Sequence, residues 1–366
     1  MKPDRPLPTN PTVNDIARVA KVSLATVDRV LNQRAGVRPL TVERVNKAIA
    51  DLGYVRDTAA ANLARGRVYR FLFILPANGN EFIAQLEAQI ADLTAGLHRE
   101  RTWVEATHVP AFDPMALSAA IDNVDPEAID GIAILGLETP SVRDSISRLR
   151  ASGVTVVSLV SDIPSSERSD FVGIDNIAAG RTAAQLMGRF LGGKSGRIVV
   201  ITGSILARDH LERRLGFDEV MSRDFPALDV LASIEARDDP ALVQRLLPQA
   251  LAAHSNVVGI YSSAAGNAGF VHYLEHDHRG PRPLTIAHEL TPLSRRALNE
   301  GVFDAVISQD AGHLVRSAIR IMRARADKLP INPAQERIRI DVYLKENLPP
   351  PGTPADQPAD QKEEKP

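Results

Sequence analysis

The chain has 366 residues, of which 44% are hydrophobic and 24% charged, a composition typical of a globular protein of two or three domains. It contains no cysteine, which excludes disulfide bonds, thiolate zinc sites and a cysteine nucleophile. No apolar stretch of about 18 residues predicts a membrane span, and the N-terminal segment lacks the apolar core of a signal peptide.

Charge is unevenly distributed along the chain. Residues 1–70 contain 13 Lys/Arg and 6 Asp/Glu, so this part has a net charge of +7, and the remainder has a net charge of −9. A basic N-terminal module on an acidic body suits a protein that binds a polyanion with one end. Uneven scatter of charges is the alternative explanation.

The N-terminal part is predicted to hold three short helices. Residues 1–11 contain four prolines and are expected to form a flexible tail. Apolar residues then recur at helical spacing from Val13 to Ala20, until Lys21-Val22-Ser23 breaks the pattern. Ser23 is a suitable N-cap for a second helix, and Thr41 for a third. Two helices joined by a tight turn and covered by a third form a helix-turn-helix unit.

The second helix is the candidate recognition helix, because its N-terminal half projects outward as such helices do into the major groove. Arg29 could make a bidentate contact with guanine or bind a phosphate. Backbone N–H groups at the starts of the first two helices can also bind phosphates. We therefore predict that residues 12–56 form a DNA-binding headpiece. Its candidate DNA contacts are Thr12, Asn14, Ser23, Leu24, Ala25, Thr26, Asp28, Arg29 and Asn32.

Three runs carry a family resemblance: TVNDIARVAKVSLATVDRVLN, V-x-x-x-T-x-E-R-V-x-x-A-I-x-x-L-G-Y and A-A-x-x-L-A. In order and spacing they resemble the headpiece of the lactose-repressor (LacI/GalR) family of bacterial transcription regulators. Asp28 stands where that family usually has serine. An acidic group there repels phosphate or accepts a hydrogen bond from a cytosine amino group. The departure therefore concerns the operator sequence rather than DNA binding; a three-helix cap without a DNA role is the alternative.

Residues 57–69 are predicted to form a hinge helix and a linker. The resemblance implies that two such helices, one from each protomer, press a leucine into the minor groove. Leu63 occupies that place, and apolar wedges of this kind kink DNA. An ordinary core leucine is the alternative.

From residue 70 onward, apolar strand-like runs alternate with helical stretches. This alternation predicts parallel sheets with helices on both faces, and the number of units suits two sheets. The predicted class is α/β, with an all-α helix-turn-helix headpiece followed by two doubly wound parallel-sheet lobes. Residues 349–366 are rich in proline and charged side chains and are expected to be disordered.

The body, residues 70–348, resembles the periplasmic-binding-protein type I fold. The resemblance implies two lobes that are joined by three crossing strands and hold a ligand between them. One lobe would comprise about 70–174 and 310–336, and the other about 175–309 and 337–348.

Ligands of open α/β sheets bind at the carboxyl ends of the strands, where several polar residues occur in this chain. Asp175 follows one strand and is a candidate ligand contact, whereas Asn176 beside it could cap a helix. Ser161 and Asp162 follow VTVVSLV, although Asp162 could instead be a loop residue. Phe82 could stack on a sugar face or pack in the core.

Later strands supply further candidates. In GSILARDHLERRLGF the resemblance implies an arginine shortly before Gly216-Phe217, and Arg208 is the first choice ahead of His210 and Arg213. A guanidinium offers paired donors to vicinal hydroxyls or a carboxylate. A solvated helix start is the alternative. The remaining candidate ligand contacts are Ser262, Asn267, Glu289 and Gln309. The resemblance implies asparagine at the place of Ser262 and aspartate at the place of Glu289, so these two departures predict a reshaped pocket.

The sequence contains no convincing catalytic motif. Gly188–Ser195 fits the P-loop pattern, but a predicted helix precedes it and a strand follows it, which reverses the required order. There is no H-E-x-x-H or G-x-S-x-G run. No catalytic residue, metal or cofactor is predicted.

The sequence therefore predicts a ligand-responsive transcription regulator, most simply a repressor, that senses a small sugar, polyol or sugar derivative. It would bind double-stranded operator DNA as a homodimer, because a two-fold symmetric protein matches a pseudo-palindromic site. Its expected location is the cytoplasm, in association with the nucleoid. A sugar-modifying enzyme and a transporter-type solute-binding protein, each with a fused headpiece, are the alternatives.

Overall fold

A computed structural model of the chain describes residues 11–31, 34–54, 66–77 and 80–350. Most of both expected tails and of the expected hinge segment lies outside these ranges, and so do the candidates Asn32 and Leu63. The chain forms two compact units, residues 1–67 and residues 68–366.

The first unit contains three helices: α1 (Val13–Ala20), α2 (Leu24–Leu31) and α3 (Pro39–Leu52). Lys21 ends α1 in the left-handed conformation, with φ of 52°. The Ser23 hydroxyl accepts a hydrogen bond from the backbone N–H of Thr26 at 3.2 Å, as an N-cap does. The third helix begins at Pro39 rather than after Thr41, because proline has no N–H to leave unpaired in the first turn.

The three helices enclose a small core. Its fully buried members, drawn from all three helices, are Ile16, Ala20, Val27, Val45 and Ala48. Leu24, at the start of α2, is instead 50% exposed. The apolar stripe of α2 therefore begins at Val27, and the preceding turn of the helix stays on the surface.

Lobe 1 of the second unit is built on a parallel sheet with the strand order β2-β1-β3-β4-β5. Its strands are β1 (Tyr69–Pro76), β2 (Thr102–Val109), β3 (Gly131–Ile134), β4 (Thr155–Leu159) and β5 (Asp170–Val172). Its helices are α4 (Glu81–Arg99), α5 (Pro114–Asp122) and α6 (Pro140–Ala151). Every residue of β3 and β4 is buried, as expected for central strands covered by helices on both faces.

Lobe 2 repeats this plan, and its sheet has the order β7-β6-β9-β10-β11-β12, with β8 also paired to β6. Its strands are β6 (Gly196–Thr202), β7 (Leu228–Val230), β8 (Ile234–Glu235), β9 (Val257–Ser262), β10 (Leu284–His288), β11 (Ala305–Ser308) and β12 (Asp341–Tyr343). Its helices are α7 (Asn176–Leu191), α8 (Arg208–Asp224), α9 (Pro240–Ala253), α10 (Asn267–His272) and α11 (Pro292–Asn299), and π-helical residues Tyr273–Asp277 continue α10. Only β12 is antiparallel to its neighbour.

The chain crosses between the lobes three times. It first passes from β5 into α7, and it returns to lobe 1 after β11, where α12 (Ala311–Ala326) packs against α4 and β4. Residues 327–340 then lead back to β12 at the edge of the second sheet. The α/β class and the helix-turn-helix headpiece predicted from the sequence are confirmed. Within the described ranges, no helix has both the length and the apolar character needed to cross a membrane.

Two glycines allow α7 and α8 to pack backbone against backbone. A Cβ atom on Gly180 would lie 2.0 Å from the carbonyl oxygen of Arg213, and one on Gly216 would lie 2.0 Å from that of Ile177. The close approach brings the first residue of α7 beside α8, where Nε of Arg213 donates to the Asn176 side chain at 2.9 Å. The glycines thereby place both polar side chains next to the space between the lobes.

Candidate functional site

The first unit presents its candidate DNA contacts on the surface. Thr12, Asn14, Ser23, Leu24, Ala25, Asp28 and Arg29 are exposed, and Thr26 is partly exposed. Both the N–H and the hydroxyl of Thr12 donate to Asp15, which fixes the start of α1. Within the described ranges these residues have the accessibility that a DNA-reading surface requires, and their contacts with DNA remain predictions.

Asp28 is the one acidic residue of α2, and a cation lies beside it. The guanidinium of Arg34 is 3.4 Å from the Asp28 carboxylate, and both side chains are more than half exposed. An exposed pair of this kind contributes little to stability. It does, however, offset the negative charge that Asp28 would otherwise present to a phosphate.

The second unit has a cavity of about 210 Å³ between its lobes. Direct contacts bridge the lobes around it: the side-chain amide of Asn80 lies 3.3 Å from Asp238, and the amide of Gln85 donates to the carbonyl of Leu290 at 2.9 Å. On another side, the Glu138 N–H donates to the carbonyl of Leu206 at 3.3 Å. The lobes therefore touch on several sides of the cavity, which remains partly open to solvent.

Arg213 is the charged centre of the cavity wall, and its side chain is only 3% exposed. Besides its bond to Asn176, the guanidinium donates to the carbonyl of Ser263 at 2.9 Å. Its remaining nitrogen lies 3.5 Å from Glu289 and 3.9 Å from Asp209. The 209/213 spacing places both residues on one face of α8. Arg213 thus carries the positive charge that two buried carboxylates require.

Burial shapes the pKa values around Arg213. Burial raises the pKa of the Glu289 carboxyl despite the nearby guanidinium and the hydrogen bonds from Gln309. Burial likewise raises the pKa of Asp238. For Asp209, burial acts in the same direction, but His210, Arg213 and hydrogen bonds outweigh it, and the pKa is lowered. Burial, together with the charge of Arg213, holds the pKa of His288 well below its ordinary value. His288 is therefore neutral.

The backbone is strained where two strands enter the cavity wall. Val160, directly after β4, has φ of 64°, and Glu289, directly after β10, has φ of 67°. Left-handed geometry is uncommon for non-glycine residues and is a genuine outlier for a β-branched one. Each is held by a backbone bond to the next strand: Val160 N–H donates to the Val172 carbonyl at 2.9 Å, and Glu289 N–H to the Ile307 carbonyl at 2.7 Å. Such strain concentrates at functional sites.

Four of the predicted ligand contacts line the cavity: Phe82, Ser161, Asn267 and Glu289. Ser262 and Gln309 do not line the cavity but hydrogen-bond to residues that do. The Ser262 hydroxyl donates to the Asn267 side chain at 2.8 Å, and the Gln309 amide donates to Glu289 at 3.0 Å. These two residues can therefore position groups that reach the cavity.

The other three candidates have partners outside the cavity lining. Arg208 pairs with Glu212 at 2.6 Å, and Asp175 caps α7 by accepting from the N–H of Ala178 at 2.9 Å. Asp162 accepts from Ser158 at 2.7 Å and pairs with Arg168. Their predicted ligand contacts would require these bonds to be exchanged.

Asp209 and Asp238 line the cavity although the sequence analysis did not select them. Asp238 follows the two-residue strand β8, which is too short to produce a recognisable apolar run. The helical spacing of Asp209 and Arg213 was the available signal for Asp209. Among the described residues no group of three or more His, Cys, Asp or Glu side chains is arranged to hold a metal ion.

Comparisons with known proteins agree with this arrangement. Residues 12–57 match the model of bacterial regulatory proteins of the lacI family, and residues 71–329 match the periplasmic binding protein domain. The chain thus combines a lacI-family headpiece with a body that belongs to the periplasmic binding protein domain family. The family predicted from the headpiece runs is thereby confirmed.

Individual relatives show how far the likeness extends. Catabolite control protein A of Staphylococcus xylosus is 31% identical over 147 residues, which are 40% of this chain and 43% of that protein. The chain thus spans about half the length of the curated relatives it matches. A glucose-galactose binding protein from Geobacillus stearothermophilus superposes with a TM-score of 0.69 at 20% identity, covering 77% of this chain and 99% of that one. A LacI transcriptional regulator from Bacteroides fragilis, named as putative, superposes at 0.68 and 20% identity, over 77% and 98%. These structures establish the fold alone.

Proposed function

We propose that the chain is a ligand-responsive transcription regulator. Its headpiece binds double-stranded operator DNA, and the cavity between the lobes binds a small polyhydroxy effector. The observation that carries this proposal is the buried Arg213–Asp209–Glu289 group, which lines the cavity between the lobes of a chain that also has a lacI headpiece. Guanidinium donors beside carboxylate acceptors suit hydroxyl groups, because each hydroxyl both donates and accepts.

The regulator acts as a homodimer, since a pseudo-palindromic operator is read by two symmetry-related headpieces. It acts in the cytoplasm, where its DNA target lies. The effector changes operator affinity only to the extent that it binds the DNA-bound and free states with different affinity. The cavity binds its ligand without converting it, and repression that the effector relieves is the simplest mode. Sugars enter the proposal through the relatives, among which is a glucose-galactose binding protein.

The test is a fluorescence-anisotropy titration of the intact chain against a pool of short palindromic duplexes, repeated with a sugar and polyol panel. We expect sub-micromolar binding that weakens steeply with salt, because phosphate contacts release counterions. One compound should change the affinity, and the same compound should remain chemically unaltered after incubation.

An Arg29→Ala variant serves as the matched control, because it removes a recognition-helix cation far in sequence from the cavity residues. It should weaken DNA binding and leave effector binding unchanged. Failure of the folded wild-type chain to bind any duplex at low salt would contradict the proposal.

A further inference from the structure

The two halves of the cavity wall differ in chemistry. Lobe 2 contributes the ionisable side chains Asp209, His210, Arg213, Asp238, His288 and Glu289. Lobe 1 contributes a mostly apolar wall that includes Ile74, Val109, Phe112, Leu135, Leu137 and Val160. A bound molecule would thus face charged and polar groups on one side and hydrocarbon on the other.

The polar residues that lobe 1 does bring to the cavity are largely engaged in protein contacts. The Ser161 hydroxyl oxygen lies 3.1 Å from the N–H of Arg208 and 3.4 Å from that of Asp209, and so accepts at the start of α8. Asn80 accepts from the N–H of Phe82 at 2.9 Å, and its amide faces Asp238. Glu81, the remaining polar lining residue of lobe 1 within the described ranges, is solvent-exposed. Lobe 1 therefore offers a hydroxyl-rich ligand few partners.

Val160 and Glu289 occupy corresponding places in the two lobes. In the shared strand order each residue directly follows the fourth strand, and each has a left-handed backbone held by a bond to the fifth strand. Lobe 2 has a carboxylate at this place. Lobe 1 has a valine, although asparagine or aspartate would tolerate the backbone better. The apolar side chain is retained at the cost of strain, which is the pattern expected where the side chain serves a function.

Lobe 2, in contrast, presents hydrogen-bonding groups to the cavity. Its lining includes the carboxylates of Asp209, Asp238 and Glu289 and the guanidinium of Arg213. Carboxylates accept and a guanidinium donates hydrogen bonds, so the hydroxyl groups of a ligand find partners on this side.

We infer that the effector is a partly deoxygenated sugar or polyol, with its hydroxyls toward lobe 2 and a C–H or alkyl face toward lobe 1. This inference rests on the proposed function and narrows its ligand class. A hydroxyl placed against the Val160 wall would lose its water without gaining a partner. A methyl or methylene group in the same place would pack against the apolar wall and has no hydrogen bonds to water to lose.

Matched pairs of sugars test the inference: L-rhamnose with L-mannose, L-fucose with L-galactose, and 6-deoxy-D-glucose with D-glucose. Binding of each compound to the full chain is measured by isothermal titration calorimetry without DNA. In at least one pair the deoxy member should bind about tenfold more tightly than its hydroxylated partner, the ratio that 1.4 kcal/mol produces. Equal or tighter binding of the hydroxylated members would overturn the inference, and so would failure of all three deoxy sugars to bind at millimolar concentration.

Two variants at one position separate wall chemistry from wall shape. Val160→Asn introduces an amide that suits the backbone geometry, and it should shift the preference toward the hydroxylated member of the pair. Val160→Ala removes two methyl groups but leaves the wall apolar, and it should keep the preference for the deoxy member. An unchanged preference in a folded Val160→Asn protein would overturn the inference. Because no DNA is present, these outcomes are independent of operator binding, whose loss would instead contradict the proposed function.

Discussion

The two lobes share a backbone plan and differ in what they present to the cavity. Both sheets contain the same order of five parallel strands, and both strain the residue after the fourth strand. In lobe 1, Asp162 pairs with Arg168 of the same lobe, and neither residue lines the cavity. Lobe 2 directs Arg213 and its carboxylates at the cavity. The comparison teaches that the fold fixes where side chains emerge, whereas the chemistry of the site depends on a few residues at those places.

Removing the buried cation of lobe 2 should break this contrast most strongly. Arg213→Met would leave Asp209 and Glu289 buried without their guanidinium and should cost about 3–5 kcal/mol of unfolding free energy. Arg168→Met, the lobe 1 counterpart, should cost roughly 1–2 kcal/mol, since Ser158 and a backbone N–H still hydrogen-bond Asp162. Urea denaturation of the ligand-free proteins measures both values. Equal losses of unfolding free energy would show that Arg213 is no more important for stability than Arg168.

A pair of glycine substitutions sharpens the comparison of helix packing. Gly180→Ala places a Cβ against the backbone of α8 and should destabilise the protein by roughly 1–3 kcal/mol through overpacking. Gly96→Ala, at an exposed position of α4 in lobe 1, meets no atom within 4 Å. It should stabilise the protein by about 0.5–1 kcal/mol, because alanine restricts the unfolded chain. Thermal unfolding of both variants gives the two signs, and a destabilised Gly96→Ala would contradict the packing argument.

Local sequence chemistry predicted the fold well. Ser23 caps α2 because a hydroxyl directly before a helix can accept from its free N–H groups, which is a local property. The start of α3 was predicted three residues late, because Pro39 supplied a competing start signal that outweighed Thr41. The alternation of strands and helices was sufficient for the α/β class, since each element carries its own periodicity.

The cavity could be predicted only in part, because helix rotation decides which side chain enters it. Arg208 and Arg213 lie on one helix, and sequence alone does not say which faces the cavity. The glycine contacts at Gly180 and Gly216 set that rotation and direct Arg213 inward. The pairing of Asp162 with Arg168 likewise depends on a loop fold that no periodicity reports.

The smallest expected effect concerns pH, and here the two lobes should differ in sign. Burial raises the pKa of Glu289 above its ordinary value of 4.5. The folded protein thus favours the protonated carboxyl over the charged carboxylate. The stability that the protonated form contributes is lost as pH rises through the raised pKa. Glu289→Gln keeps a hydrogen-bonding side chain without the charge. It should raise the midpoint of thermal unfolding at neutral pH, and the gain should vanish toward pH 4.5 and below.

Asp162 provides the opposite case in lobe 1. Burial is the largest influence and acts to raise its pKa, but hydrogen bonds from Arg168 and Ser158 and the charge of Arg168 outweigh it, so the pKa falls below 3.8. The charged form therefore stabilises the fold above pH 3.8, and this stability is lost as pH falls through the lowered pKa. Asp162→Asn should lower the unfolding midpoint at neutral pH, and the deficit should shrink in acid. Thermal unfolding of both variants from neutral pH to well below pH 3.8 would test the pair. Midpoint shifts of the same sign at neutral pH would contradict the prediction that the charged form destabilises the fold at Glu289 and stabilises it at Asp162.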